Sequence, residues 1–180
     1  MIVVDGNIGS GKSTLLDGLS KHGFSVQKEA LEKWPLEEFY ADPATWAMPL
    51  QLAVFWSMGE KLEISLGPET TVRERCPDSA FDVFWRAQER PPQEDLVVTE
   101  FYERHRWTPE THIYLRSSPE WCFGNLKKRT QAGDSGVTLE YLKELHERYE
   151  KFFQARAHVV VNAEQPPEVI LSDIIRCLRR

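Results

Sequence analysis

The strongest constraint on this chain is the stretch Gly6-Asn7-Ile8-Gly9-Ser10-Gly11-Lys12-Ser13, which fits G-x-x-x-x-G-K-S/T. Before it stands Ile2-Val3-Val4, a short apolar run that reads as a buried strand. After it, Ser13-Thr14-Leu15-Leu16 opens a helix. Strand, glycine loop and helix in that order are the context a phosphate cradle needs. Glycines let the backbone curl until its N–H groups point at an anion. The helix N-terminus adds positive dipole. On this reading Gly6, Asn7, Ile8, Gly9, Ser10, Gly11, Lys12, Ser13 and Thr14 hold a nucleoside triphosphate. Lys12 reaches the β- and γ-phosphates, and the Ser13 hydroxyl ligates Mg2+. The motif is silent about what receives the phosphate.

Length and composition narrow the setting. The 180 residues, 41% of them hydrophobic, suit a single globular domain spanning 1–180. With 22 basic and 28 acidic residues the net charge is −6, so no broad attraction for nucleic acid or membrane is expected. The 3 cysteines, Cys76, Cys122 and Cys177, are scattered and odd in number, which points to free thiols in a reducing compartment. No signal-peptide pattern precedes the first strand, and no apolar run is long enough to span a bilayer. The expectation is a cytoplasmic protein.

Farther along, the pattern alternates. Helix is expected from Lys12 to about His22, strand over Phe24–Gln27, and a long apolar helix from Trp46 to about Ile64. A third strand over Thr70–Arg73 ends at Glu74-Arg75. Helices are expected over Ser79–Arg90, closed by Pro91-Pro92, and over Leu96–Arg106. Thr111–Leu115 is a strand, Pro119 starts a helix, and Leu139, Leu142, Leu145, Tyr149 and Phe152 repeat at helical spacing. A strand at His158–Asn162 and a helix from Pro166 close the chain. This is the order of an α/β fold, a parallel sheet with helices on both faces. Ligands in such folds sit at the carboxyl ends of the strands.

That rule singles out a few residues, each with two readings. Glu29 follows the second strand and is either a base for an attacking hydroxyl or a solvated carboxylate. Glu74 either holds Mg2+ beside Ser13 or joins a surface ion pair; Arg75 either braces Glu29 and clamps phosphate or belongs to that pair. Gln51 is the polar exception in Ala47–Phe55, on one helical face with Val54, Phe55 and Met58. Its amide either reads a nucleobase edge or bonds to backbone in the core. Basic Asn125–Arg129, joined to Gly133-Asp134-Ser135-Gly136, is either a lid over phosphates or a solvated face.

Taken together in order, these segments resemble the deoxynucleoside kinase family. The matches are the Gly6–Ser13 loop, Glu29-Ala30-Leu31-Glu32-Lys33-Trp34, Tyr40 with Trp46–Gln51, Glu74-Arg75-Cys76, Ile113–Glu120 and Val137–Tyr149. The resemblance implies a P-loop kinase fold with a parallel five-stranded sheet and a short lid at about 125–137. It implies ATP as donor, Mg2+, and a deoxynucleoside as acceptor. Glu29 would be the base for the 5′-hydroxyl, with Arg75 holding it and the phosphates. Gln51 would read the pyrimidine edge, and Phe84 would stack opposite Trp34. Tyr40 and Asp134 would hold the sugar 3′-hydroxyl, and Arg129 the transferring phosphoryl group. Val54, Met58 and Ala80 resemble residues around the base. None carries charge and Ala80 leaves room for a methyl, which favours thymidine, with deoxycytidine and other deoxynucleosides tolerated.

The chain departs from the family pattern in places. Ala30 and Cys76 replace proline and serine, and Lys127 and Gln131 stand where arginines are usual. Lysine keeps the charge but loses the two-pronged fork. Segments are shortened between Trp34 and Tyr40 and between Phe84 and Thr111, the second bearing on homodimer contacts. Such trimming would suit a viral enzyme, with host cytoplasm as its place. The competing readings are a nucleoside monophosphate kinase acting on thymidylate and a catalytically weak nucleotide-binding module.

Overall fold

A computed structural model describes residues 1–64, 71–129 and 134–179, without the side chains of 61–64 and 135. Its centre is a five-stranded sheet in the order β2-β3-β1-β4-β5, every pairing parallel. The strands are β1 (Ile2–Asp5), β2 (Ser25–Gln27), β3 (Thr71–Glu74), β4 (Thr111–Arg116) and β5 (Val159–Asn162). The expected parallel α/β sheet is the one found. Thr70, expected in β3, lies outside the described residues, as do Gln131 and Gly133 of the expected lid.

Helices cover both faces, because side chains alternate across each strand. On one face Val4, Val72, Ile113 and Leu115 pack with Leu15, Leu16 and Leu19 of α1 (Lys12–Lys21) and with Ile170 and Ile174 of α8 (Pro167–Leu178). On the other, Tyr114 packs with Leu145, Tyr149, Phe152 and Phe153 of α7 (Leu139–Gln154). The apolar stripe read in α7 is therefore its buried face. A third cluster joins α2 (Leu36–Ala41), α3 (Pro43–Ile64) and α5 (Pro92–His105) around Phe55, Phe81, Trp85 and Tyr102. Among the described residues no helix is long and apolar enough to cross a membrane.

Several boundaries differ from the sequence reading. Helix α2 occupies a stretch read as broken by Pro35 and Pro43. Helix α3 starts at Pro43, not Trp46, because proline fits the first helical turn, where its missing N–H has no partner to lose. The same holds for α5, which begins at Pro92, not Leu96. Ser79–Arg90 is not one regular helix. A short helix α4 (Pro77–Ser79) runs into a π-helical turn over Ala80–Phe84 and a 3-10 turn over Trp85–Ala87. The run stops there because the Trp85 carbonyl is taken by the Gln88 N–H at 3.1 Å and by the Arg90 guanidinium at 2.8 Å. Helix α6 (Pro119–Lys128) leads into the lid segment.

Candidate active site

The carboxyl ends of β1, β2 and β3 bring the loop, Glu29 and Glu74-Arg75 together. The Lys12 ammonium folds back onto its own loop, donating to the carbonyls of Gly6 at 3.1 Å and Asn7 at 2.8 Å. Two amides pin the loop from outside. Asn7 donates to the Leu142 carbonyl of α7 at 2.8 Å, and Asn125 of α6 donates to the Gly9 carbonyl at 2.9 Å. Gly9 has φ +82°, and a Cβ there would sit 2.6 Å from the Cys122 carbonyl oxygen, so the position requires glycine. The Ser13 hydroxyl donates to the Glu74 carboxylate at 3.2 Å. Hydroxyl and carboxylate are hard oxygen donors and fit Mg2+.

Burial, reinforced by Arg75, lowers the Lys12 ammonium to about 8, against the pull of Glu74 and Glu29. With no phosphate beside it, this lysine therefore loses its proton as pH rises through about 8. Bound phosphates favour the charged form, so nucleotide binding at about pH 9 should take up close to one proton. Titration calorimetry in buffers of different ionisation enthalpy measures this, and Lys12→Met should abolish the uptake.

Arg75 is the hub of the site. It is a non-glycine residue with φ 59°, held there by its N–H donating to the Val4 carbonyl at 3.0 Å. Such backbone strain concentrates at functional positions. Its guanidinium is buried and donates in three directions. One N–H pairs with Glu29, a second reaches the Gly6 carbonyl at 3.3 Å, and Nε reaches the Tyr149 hydroxyl at 3.1 Å. The Tyr149 hydroxyl in turn donates to Asp5 at 3.4 Å. The guanidinium also lies over the Phe84 ring, 4.6 Å from its centroid. Burial pushes the Glu29 carboxyl up against the opposing pull of Arg75. Burial likewise opposes the Arg75 charge, but Glu29, Tyr149 and Glu74 hold that group well above its usual range. Tyr149 and Asp5 were not among the sequence candidates. The available signal was a hydroxyl inside an apolar helical stripe, which needs a partner when buried.

Between these groups lies a cavity of about 150 Å³, on the order of ten times what one water needs. It is lined by Ile8, Gly9, Gly11, Lys12, Ser13 and Thr14 of the phosphate loop and its helix, and by Glu29, Glu74 and Arg75 from the strand ends. Trp34, Tyr40, Gln51, Val54, Ala80 and Phe84 form a further, more apolar wall. Gln51 is buried and its amide donates to the Ala80 carbonyl at 3.3 Å. Trp34 is oriented by Ser57, which accepts from its indole N–H at 3.1 Å. Met58 is a correction: it is not part of this wall. It packs in the α3 cluster and borders a smaller cavity of about 20 Å³ behind Glu29 and Trp34. One helical turn separates it from Val54, and α3 turns it away. Gln88 and Tyr141 line the main cavity, 3.4 Å apart, and were not anticipated.

The sequence pattern of the deoxynucleoside kinase family matches residues 2–174. The chain belongs to that family. It is similar to protein 029R of invertebrate iridescent virus 3, with 32% identity over 187 residues, 100% of this chain and 96% of that one. It is similar to the thymidine kinase of ictalurid herpesvirus 1, with 33% identity over 196 residues, 98% of this chain and 85% of that one. A solved deoxyadenosine kinase from M. mycoides with bound dATP shares the fold, with TM-score 0.85 at 23% identity over 99% of each chain.

At the mouth of the cavity of this deoxynucleoside kinase, Arg129 and Asp134 form a two-pronged pair at 2.6 and 2.9 Å. Both line the cavity, yet Arg129 is exposed, and exposed pairs are weak enough to exchange partners. Tyr40 beside them is pushed up to about 12, chiefly by burial and then by Asp134, so its hydroxyl stays protonated. Gly136 packs on Tyr40 so closely that a Cβ would lie 2.3 Å from the Tyr40 side chain. Gly136→Ala should therefore displace Tyr40 and raise the nucleoside KM of the kinase by about tenfold, as lost binding of about 1.4 kcal/mol. Steady-state kinetics with varied nucleoside check this.

Proposed function

We propose that this kinase transfers the γ-phosphoryl group of ATP, with Mg2+, to the 5′-hydroxyl of a deoxynucleoside. Thymidine is the preferred acceptor, with deoxycytidine and other deoxynucleosides accepted more slowly. The observation that carries this reading is that Glu29 and Gln51 line one cavity together with the phosphate loop. An acceptor with its base against Gln51 then presents its hydroxyl to Glu29 and to the triphosphate.

Glu29 accepts the hydroxyl proton as the oxygen attacks, and its raised affinity for protons suits that role. Arg75 holds Glu29 in place and carries charge toward the loop. Lys12 leaves the Gly6 and Asn7 carbonyls for phosphate oxygens, and Arg129 leaves Asp134 for the transferring group. Phosphoryl transfer passes through a loose transition state, so alignment and charge placement do most of the catalysis. Ser13 and Glu74 would hold Mg2+, which neutralises charge on the β- and γ-oxygens. Asp134, once released, and Tyr40 would hold the sugar 3′-hydroxyl. Trp34 and Phe84 bound the base, and Val54 and Ala80 supply an apolar, uncharged edge. The small Ala80 side chain supports a base carrying a methyl, as does the name of the herpesvirus relative.

The test is monophosphate formation from four deoxynucleosides and from thymidylate, each with ATP and Mg2+. Thymidine should give the highest kcat/KM, ahead of deoxycytidine by roughly 10- to 200-fold, the range apolar pockets achieve. Faster phosphorylation of thymidylate would make the acceptor a nucleotide and overturn this assignment.

A further inference from the structure

Beyond Tyr149, whose hydroxyl reaches Asp5 at 3.4 Å, Asp5 meets two further side chains. Asp5 ends β1, Cys76 lies just past β3, and His112 belongs to β4. The register pairs Val3 with His112 and Asp5 with Tyr114, so Asp5 and His112 share a face of the sheet. Their exposures are 0%, 0% and 7%. The Asp5 carboxylate lies 3.7 Å from His112 Nδ1 and 3.9 Å from the Cys76 sulfur. All three atoms lie within 4.8 Å of one another.

These contacts are long for the groups involved. The buried His112 Nδ1 has no hydrogen-bond partner, and the Asp5 carboxylate's nearest donor is Tyr149 at 3.4 Å. A fully buried carboxylate and a nearly buried imidazole, both weakly bonded and close together, call for something between them. Tetrahedral coordination with bonds of about 2.0–2.3 Å needs ligand atoms roughly 3.3–3.6 Å apart. The observed spacings reach that with shifts of about an ångström or less. Phe152 and Phe153 stand edge-on to His112, with centroids at 6.0 and 5.7 Å, and close the apolar side.

We propose that Asp5, Cys76 and His112 bind one borderline-soft divalent ion of the zinc class. Mixed sulfur, nitrogen and oxygen donors suit such an ion, whereas the all-oxygen pair Ser13–Glu74 suits Mg2+. On binding, the Cys76 thiol gives up its proton to solvent. One carboxylate and one thiolate then balance the two positive charges, as burial demands. The ion ties the ends of β3, β1 and β4 together beneath the phosphate loop.

The experiment uses the full chain, purified without chelator, incubated with one equivalent of Zn2+ or Co2+ and desalted. About one zinc per chain should remain, and the cobalt form should show a thiolate-to-metal charge-transfer band in the near-ultraviolet. Cys76→Ser should lose the band, and His112→Gln should cut retained metal about tenfold or more. Cys177→Ser, at an exposed thiol, should change neither. Thermal melts establish which variants are folded, and His112→Gln carries the test should Cys76→Ser fail to fold. Wild-type protein that retains less than about a tenth of an equivalent overturns the proposal. So does a cobalt band that survives in folded Cys76→Ser.

Discussion

Glu29→Gln should lower kcat by about 10²–10⁴, the usual contribution of a positioned base. The nucleoside KM should stay within about threefold of wild type, since glutamine keeps the shape of the wall and an acceptor for Arg75. What disappears is the group to which the proposed mechanism gives the 5′-hydroxyl proton. Steady-state kinetics, with nucleoside affinity measured separately by calorimetry, check both halves. Undiminished turnover would remove Glu29 from the reaction.

Arg75→Met should be the most damaging single change to stability. It strips the counter-ion from a carboxylate whose side chain is 7% exposed, and removes donors from Gly6 and Tyr149. Breaking a buried pair from one side costs about 3–5 kcal/mol. The loss should depend on pH, with a definite sign. Without Arg75, burial and then Glu74 push the Glu29 carboxyl up with only Lys12 opposing them, so it rises further above its unfolded value. A carboxyl raised on folding contributes most below its unfolded pKa and loses that contribution as pH rises through the folded one. The variant should therefore lie closer to wild type at about pH 5 than at about pH 8. Urea denaturation at the two pH values measures this. An equal deficit at both would locate the damage in packing and not in charge.

Much of this architecture was legible because its signals are local. The phosphate loop, the short apolar strands and the stripe in α7 each announce themselves within a few residues. So do Glu29 and Glu74-Arg75, since strand ends are readable and parallel sheets gather them on one side. The errors fall where local and tertiary preferences compete. Ser79–Arg90 has helical composition, but Arg90 captures the Trp85 carbonyl and ends the run in irregular turns. Met58 shares a helical face with Gln51 on paper, yet the packing of α3 turns it to another cavity. Pro92 reads as a stop when scanned from the left and is in fact the start of α5.

By itself, the order of residues determined that a triphosphate cradle sits on a parallel sheet with carboxylates and an arginine at the strand ends. Backbone geometry compels this, since glycine placement and side-chain periodicity act over short distances. How deeply each polar residue is buried, and which groups it meets there, was decided by tertiary structure alone. Folding joined Glu29, legible in sequence also as a solvated carboxylate, and Arg75, legible also as half of a surface pair with Glu74, into one desolvated pair, placed Gln51 at a cavity wall, and brought Tyr149 to Asp5. No local pattern specifies contacts across 144 residues of separation. They exist because α7 must cover the sheet, and a hydroxyl carried into that interface must find its partner there.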